Sequence, residues 1–492
     1  MPRVLLSELI ELLPEVRLSG ASDIQVWVTD VACDSRKVKP GALFVAIPGQ
    51  QFDGHDFVPD AVARGAVAVV VEHPVEVTSV PVLQVPHARE ALALLANGFY
   101  GFPSRRLLLV GVTGTNGKTT TTHLIAHVLR TSGLSTGSMG TLGAVLDGVG
   151  EVPISHTTPE APDIQYVLYT AVQNGVKAVA MEVSSHALHQ HRTLGLEFDV
   201  AVFTNLTQDH LDYHKTMENY AASKRRLFVD YPPRSTKHAH VVFNLDDPTG
   251  RQWYEESVYD RWGYGVSSPD ACVRASEVRL FPDGVEMRVV TPEGEHHVRV
   301  PLGGAFQVYN ILAAITASLA LSLSPDTVVN ALRDVPQVPG RFEIVSNRRG
   351  ITVIVDYAHT PDALENLLRS ARALQPRRLI TVFGCGGNRD RSKRPRMGAI
   401  ASELSDLCVV TSDNPRNEPP EAIIDEILQG IRQREDVRVE PDRRRAIALA
   451  IESAQAGDMV VIAGKGHETV QIVGDQRIPF DDRQVAREML EG

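Results

Sequence analysis

"LLLVGVTGTNGKTTTTHLIAHVL", residues 107–129, passes from an uninterrupted apolar run through Gly111, Gly114 and Gly117 to Lys118, Thr119 and a helix-like repeat. A continuous apolar run reads as a strand buried on both faces, as in a parallel α/β sheet. Spaced glycines let successive backbone N–H groups turn inward and form a concave nest for anionic oxygens. The helix that follows adds partial positive charge at its N-terminus. Gly114, Thr115, Asn116, Gly117, Lys118, Thr119 and Thr120 are therefore candidates to bind a nucleoside triphosphate. Lys118 would reach the β/γ-phosphates and the Thr119 hydroxyl would ligate Mg²⁺. The spacing departs from the usual loop, because Val112 rather than glycine stands five residues before Gly117. The strand before and the helix after argue against a plain surface turn.

The same design recurs along the chain. Apolar runs at 106–112, 177–183, 199–205, 239–246, 378–384, 406–413 and 458–464 each end in polar or glycine-containing turns. Segments such as "PDALENLLRSARALQ" between them have helical spacing. Residues 272–300 change to alternation with turns at "PDG" and "PEG", which predicts antiparallel hairpins. A helix over "VYNILAAITASLALSL" follows, and then "VPQVPGRFEIV", whose prolines mark a domain boundary. The N-terminal "MPRVLLSELIELLPEVRL" has an amphipathic helical pattern. The reading is an α/β protein of three domains: a small N-terminal α/β domain (1–100), a central P-loop domain with a mostly parallel sheet (101–337) and a C-terminal Rossmann-like α/β domain (338–492).

At 492 residues and a net charge of −11, the chain lacks the basic footprint of a nucleic-acid binder. Cys33, Cys272, Cys385 and Cys408 show no CxxC spacing, which favours a reducing cytoplasm over disulfides or zinc. The N-terminus is not a signal peptide, and no apolar run is long enough to span a bilayer. A soluble cytoplasmic protein without membrane insertion is expected.

In open α/β sheets ligands gather at the carboxyl ends of the strands. Glu182 in "AMEVSSHALHQHR" stands at one such end and suits a hard cation. His210 in "FTNLTQDHLDYH" stands beyond another, either as a metal ligand or as a hydrogen-bonded loop histidine. The neighbouring histidines raise zinc as an alternative, against which no HExxH pattern is present. Lys224, flanked by Arg225 and Arg226, is a site lysine or part of a solvated basic face. "GCGGNRDRSKRPRMG", "TSDNPR" and "IAGKGHETVQ" give the C-terminal part three polar loops after apolar runs.

Taken in order, "GVTGTNGKTTT", "MEVSSHAL", "TNLTQDHLDYH", "YAASK", "VDYAHTPDAL", "FGCGGNRDRSKRP", "SDNPR" and "AGKGHE" resemble the Mur ligases. With "DSRKVKPGALFVAIPG" the likeness covers nearly the whole chain. It implies an ATP-dependent amide-bond ligase of peptidoglycan synthesis. ATP would phosphorylate the D-glutamate γ-carboxylate of UDP-N-acetylmuramoyl-L-alanyl-D-glutamate, and an incoming amine would displace phosphate from the acyl phosphate. The resemblance implies that Lys118, Lys224 and His210 serve catalysis, with two Mg²⁺ held by Thr119, Glu182, His210 and a carbamylated Lys224. It also places Asn310, Arg341, Asp356 and His359 around ATP. Gln307 stands where relatives carry a second asparagine. Ser35, Gln50, Gln51, Thr157, Thr158, Ser184, Gln190 and Arg192 correspond to contacts with the UDP-linked substrate, the N-terminal domain carrying the uridine diphosphate end. A monomer is expected.

The resemblance further assigns Arg389, Asp413, Asn414, Pro415, Arg416, Gly464 and Glu468 to the incoming amino acid. "DNPR" is the form of the diaminopimelate-adding members. Meso-diaminopimelate exceeds lysine by one distal carboxylate, which a planar guanidinium reads better than an ammonium does. Asp413 and Asn414 are expected to face the accompanying ammonium, and Pro415 to fix the turn. The alternatives are an L-lysine-adding ligase, a folylpolyglutamate synthetase-like ligase without need of residues 1–100, and a non-catalytic nucleotide switch.

Overall fold

The computed structural model of the chain describes residues 2–49, 52–432 and 435–491, so Gln50 and Gln51 lie outside the described residues. The apolar runs become the strands Leu108–Thr113, Ala178–Glu182, Val200–Phe203 and His240–Asn244, hydrogen-bonded in parallel. Alternate residues of these strands enter two separate cores. Val110, Val112, Ala180 and Val202 pack with the helices Lys118–Thr131 and Gln307–Ala320 on one face. Leu109, Val179, Met181 and Phe203 pack on the other. Each fully buried leucine or valine contributes about 1.5–3 kcal/mol, so both faces are covered and the loops at the strand ends are left for chemistry.

Residues 272–300 form the antiparallel strands Val273–Phe281, Gly284–Thr291 and Gly294–Val300. They do not stand apart: Tyr264 pairs with Val273 and Gly265 with Arg274 in parallel, which extends the central sheet to eleven strands. A five-stranded sheet precedes it, in the order Arg17–Gly20, Pro81–Gln84, Ala68–Val71, Ala42–Val45 and Asp30–Ala32. A six-stranded sheet follows, ordered Glu343–Ile344, Thr352–Asp356, Met459–Ala463, Leu379–Phe383, Leu407–Val410 and Val437–Val439. All pairs in the last sheet are parallel except the first. The fold is three-domain α/β.

The N-terminal segment departs from its pattern. Only Leu6–Ile10 is helical, Val4–Leu5 pairs with Trp27–Val28, and Arg17–Gly20 becomes an edge strand against Pro81–Gln84. Pro14 cannot continue a helix beyond its first turn, and strand pairing with residues some 65 positions away decides the rest. Among the described residues, no helix is long and apolar enough to cross a membrane.

Candidate active site

Two cavities meet where the central and C-terminal sheets face each other. One, of about 690 Å³, is lined by residues 115–120 of the glycine loop. The other, of about 360 Å³, is lined by Arg389, Asp413, Asn414, Arg416, Gly464 and Glu468. Asp209, His210, Tyr357, His359, Thr360 and Asp362 line both, so the two spaces share a wall.

The glycine loop is shaped by close approach. Gly117, the residue before the helix Lys118–Thr131, has φ of +85°, and a Cβ there would sit 2.2 Å from Asn310 Oδ1. Any side chain would be strained and would push Asn310 away. Asn310 is oriented by Gln307, whose Oε1 accepts from Asn310 Nδ2 at 2.8 Å. The Lys118 ammonium folds onto its own loop and donates to the Gly114 and Thr115 carbonyls at 3.0 and 2.8 Å. Burial lowers its proton affinity, opposed by Glu182 and Asp209.

Glu182 is buried at the end of its strand. Its carboxylate accepts from Thr119 Oγ1 at 3.0 Å, Thr141 N at 2.7 Å and Thr141 Oγ1 at 3.2 Å. Thr119 Oγ1 in turn accepts from Arg341 Nη2 at 3.0 Å. A carboxylate and a hydroxyl side by side form a hard donor set for a divalent cation. His210 stands in the left-handed region at φ +55°, its Nε2 3.4 Å from Asp209 Oδ2. Burial pulls its imidazole down to about 4, so a ring lone pair is available at neutral pH. His186, His210 and His214 meet through ring contacts with one another and with Tyr213 and Tyr220.

Lys224, on the helix Met217–Val229, is not on a solvated face. It is 1 % exposed, its Nζ donates to Gly114 O at 2.7 Å and lies 4.4 Å from the centre of the Tyr220 ring. Burial, and then the Lys118 charge, push its pKa well below that of an ordinary lysine, with Asp209 opposing. Among the described residues it makes no ion pair.

The C-terminal domain reaches across. Asp362, in the first turn of the helix Pro361–Ala373, accepts from Asn116 Nδ2 at 2.8 Å and Thr207 Oγ1 at 2.9 Å. Asp356 lines the larger cavity, but its two carboxylate oxygens take the backbone N–H groups of Phe342 and Ala358. Burial raises it to about 6. Thr157 and Ser184 also line the larger cavity. Thr158, Gln190 and Arg192 lie behind it: Thr158 Oγ1 bridges Glu182 O and Ser184 N, while Arg192 donates to Gln190 Oε1 and Thr158 O. Ser35 caps no part of either cavity, being buried in the short turn Ser35–Lys37.

In the smaller cavity Arg416 sits at φ +53°, tied through its backbone N–H to Ile472 O, with Nη1 donating to Gly387 O at 2.8 Å. Burial, and then the neighbouring Arg389 charge, weaken its proton affinity. Neither guanidinium makes an ion pair among the described residues. Two unneutralised cations are an anion site. Pro415 is buried behind the turn, and the Asp413 carboxylate accepts from Asn414 N. Asn414 differs from expectation. Its Oδ1 accepts from Lys465 Nζ and Ile472 N, so it presents N–H rather than oxygen, and Glu468 joins Asp413 as an anionic group of the cavity.

Asp209, Thr141, Asp362 and Lys465 went unnoticed in the sequence. Asp209 had a signal, since it adjoins His210 in "TQDH". The other three are recognisable only by contacts that folding makes.

The family models agree with this arrangement. "Mur ligase family, catalytic domain" matches residues 28–100, "Mur ligase middle domain" 112–318 and "Mur ligase, glutamate ligase domain" 340–466. The chain belongs to the Mur ligase family. Among Mur ligases it is 49 % identical over 459 residues to the UDP-N-acetylmuramoyl-L-alanyl-D-glutamate–2,6-diaminopimelate ligase of Geobacillus thermodenitrificans, covering 92 % of this chain and 93 % of that one. The protein of the same name from Thermosynechococcus vestitus is 50 % identical over 469 residues, 94 % and 93 % of the two chains. A solved structure of a ligase of that name superposes with a TM-score of 0.71 at 32 % identity, covering 100 % of this chain and 99 % of the other.

Proposed function

We propose that this Mur ligase adds meso-diaminopimelate to the D-glutamate γ-carboxylate of UDP-N-acetylmuramoyl-L-alanyl-D-glutamate, in the cytoplasm and as a monomer. One observation carries the reading: a triphosphate-type loop and a paired-guanidinium pocket share a wall, so an activated acyl group and an amine can meet. The three separate sheets support a division into substrate, ATPase and amino-acid domains at 100/101 and 337/338.

The γ-carboxylate attacks the γ-phosphorus of ATP and expels ADP. The amine then attacks the acyl carbon, and collapse of the tetrahedral intermediate breaks the C–O bond to phosphate, with one proton lost from nitrogen. Residues 114–120, Asn310, Arg341 and His359 hold the nucleotide, and Lys118 leaves its loop carbonyls to meet phosphate oxygens. Thr119, Glu182 and His210 suit Mg²⁺, which when bound neutralises phosphate charge. Lys224 opens onto the same cavity beside Lys118. A carbamate there replaces like-charge repulsion with attraction and supplies a second anionic ligand. Ser35, Gln50, Gln51, Thr157, Ser184 and their supports Thr158, Gln190 and Arg192 receive the UDP-linked dipeptide.

The test is phosphate release with ATP, the UDP-linked dipeptide and each amino acid in turn. Release is expected to require all three substrates and to favour meso-diaminopimelate over L-lysine. Release indifferent to the amino acid would point to a nucleotide switch, and a preference for lysine to the lysine-adding alternative.

Gly140 supplies a further prediction. A Cβ at this position would lie 2.3 Å from Glu182 Oε1, with the carboxylate already locked by Thr119 and Thr141. Gly140→Ala is expected to raise the Mg²⁺ concentration for half-maximal turnover by about 10- to 100-fold, the usual cost of disturbing a ligand's support. A Mg²⁺ titration of phosphate release reads this directly, and an unchanged midpoint rejects Glu182 as a ligand.

A further inference from the structure

A fully buried cation stands behind the smaller cavity without touching it. Lys465 is 0 % exposed and lines neither space. Its ammonium has three N–H groups and three acceptors: Asn414 Oδ1 at 3.1 Å, Glu468 Oε2 at 3.0 Å and Val470 O at 2.7 Å. A buried charge persists only when paired and hydrogen-bonded, and here the pairing has consequences for the two groups that do face the ligand.

Asn414 Oδ1 receives Lys465 Nζ and Ile472 N, which fills both of its lone pairs. The amide is thereby fixed with Nδ2 outward, where one N–H goes to Glu468 Oε2 at 2.8 Å and the other has no partner among the described residues. Glu468 Oε2 likewise has two donors, Lys465 Nζ and Asn414 Nδ2, so Oε1 is the oxygen left for a ligand. Among the described residues it has only a long contact of 3.5 Å from the Tyr357 hydroxyl. Beside the Asp413 carboxylate the cavity therefore offers the free Glu468 oxygen, one amide donor and the guanidiniums of Arg389 and Arg416. That set matches the ammonium and carboxylate of one α-amino-acid end.

We infer that Lys465 is a positioning residue for amino-acid selection: it sets the orientation of Asn414 and leaves a single Glu468 oxygen for the ligand. The inference rests on the proposed ligase reading and goes beyond it. Without the ammonium, Asn414 Oδ1 is held by the Ile472 N–H alone, and the amide turns its oxygen outward more readily, towards a carboxylate it would repel. Glu468, uncompensated, is drawn to Arg416 and Arg389 and closes the anion site.

The experiment compares wild type, Lys465→Met, Glu468→Gln and Lys465→Met/Glu468→Gln by steady-state phosphate release with meso-diaminopimelate and L-lysine, together with melting temperature. Lys465→Met is expected to raise KM for meso-diaminopimelate about tenfold or more and to lower its preference over L-lysine similarly, a typical cost for a lost charge-assisted contact. KM for ATP and for the UDP-linked dipeptide stays near wild type. The double variant carries no uncompensated carboxylate, so it folds even where Lys465→Met does not. It is expected to be less selective than Glu468→Gln, because Asn414 has lost its cation. A wild-type preference in Lys465→Met, or a double variant equal to Glu468→Gln, overturns the inference alone. Loss of melting temperature with all three KM values rising in parallel does the same. Absence of amino-acid-dependent phosphate release in the wild type overturns the ligase reading, and this inference with it.

Discussion

Lys224→Ala is expected to reduce amino-acid-dependent phosphate release by roughly a thousandfold, the upper range for removing one preorganised electrostatic group. Small carboxylates such as formate or acetate should restore part of it. The side chain lies against the glycine loop and beside a second lysine, a place where a permanent ammonium would oppose the cation that phosphate chemistry needs. Burial favours the neutral amine, and a neutral amine can add to CO₂ with loss of one proton, forming a carbamate. The alanine variant leaves space in which a free carboxylate can stand in for that group. Lys224→Met, which keeps the volume and the contact with the Tyr220 ring, separates chemistry from packing. It should bind ADP as wild type does and remain inactive without rescue, because its thioether fills the space. Turnover close to wild type in either variant, or wild-type activity unaffected by thorough removal of CO₂, would remove the carbamate from the mechanism.

Much of this was legible in the chain because its signals are local. A strand buried on both faces needs a continuous apolar run, and a phosphate nest needs glycines directly after it, so Leu108–Thr113 and residues 114–120 announced themselves. The strand ends at Glu182 and Phe383 followed by the same rule. What could not be read depends on partners remote in sequence. Asp362 and Asn116 are 246 positions apart, and no local pattern marks an aspartate in a helix's first turn as a cross-domain acceptor rather than a complement to the helix dipole. The orientation of Asn414 is set from 51 and 58 residues away, by Lys465 and Ile472. Asp356 showed its acidity but not its hydrogen bonds to two backbone N–H groups, which already occupy both carboxylate oxygens. In the N-terminal segment the helical period was present and lost to strand pairing, since a short helix contributes little without a packed face.

Arg416→Ala is expected to lower the preference for meso-diaminopimelate over L-lysine by about 10- to 150-fold, corresponding to the 1.5–3 kcal/mol of a hydrogen bond to a charged group. KM for ATP should not follow, because the guanidinium lines only the smaller cavity. The backbone makes the substitution a clean one. Arg416 holds φ at +53° through hydrogen bonds of its N–H to Ile472 O and of Gly474 N–H to its own carbonyl. Alanine carries the same Cβ and the same strain there, so the difference isolates the guanidinium. One nitrogen is already anchored on Gly387 O, which aims the remaining donors and reduces the ordering cost of binding. Arg416→Lys should behave much like alanine, since an ammonium cannot both hold that carbonyl and offer a planar fork. Arg389→Ala removes an exposed partner that has no anchor among the described residues and should cost less. If Arg416→Ala retains the wild-type preference while Arg389→Ala loses it, the distal carboxylate is read by the exposed arginine, and the left-handed turn serves only to fold the loop.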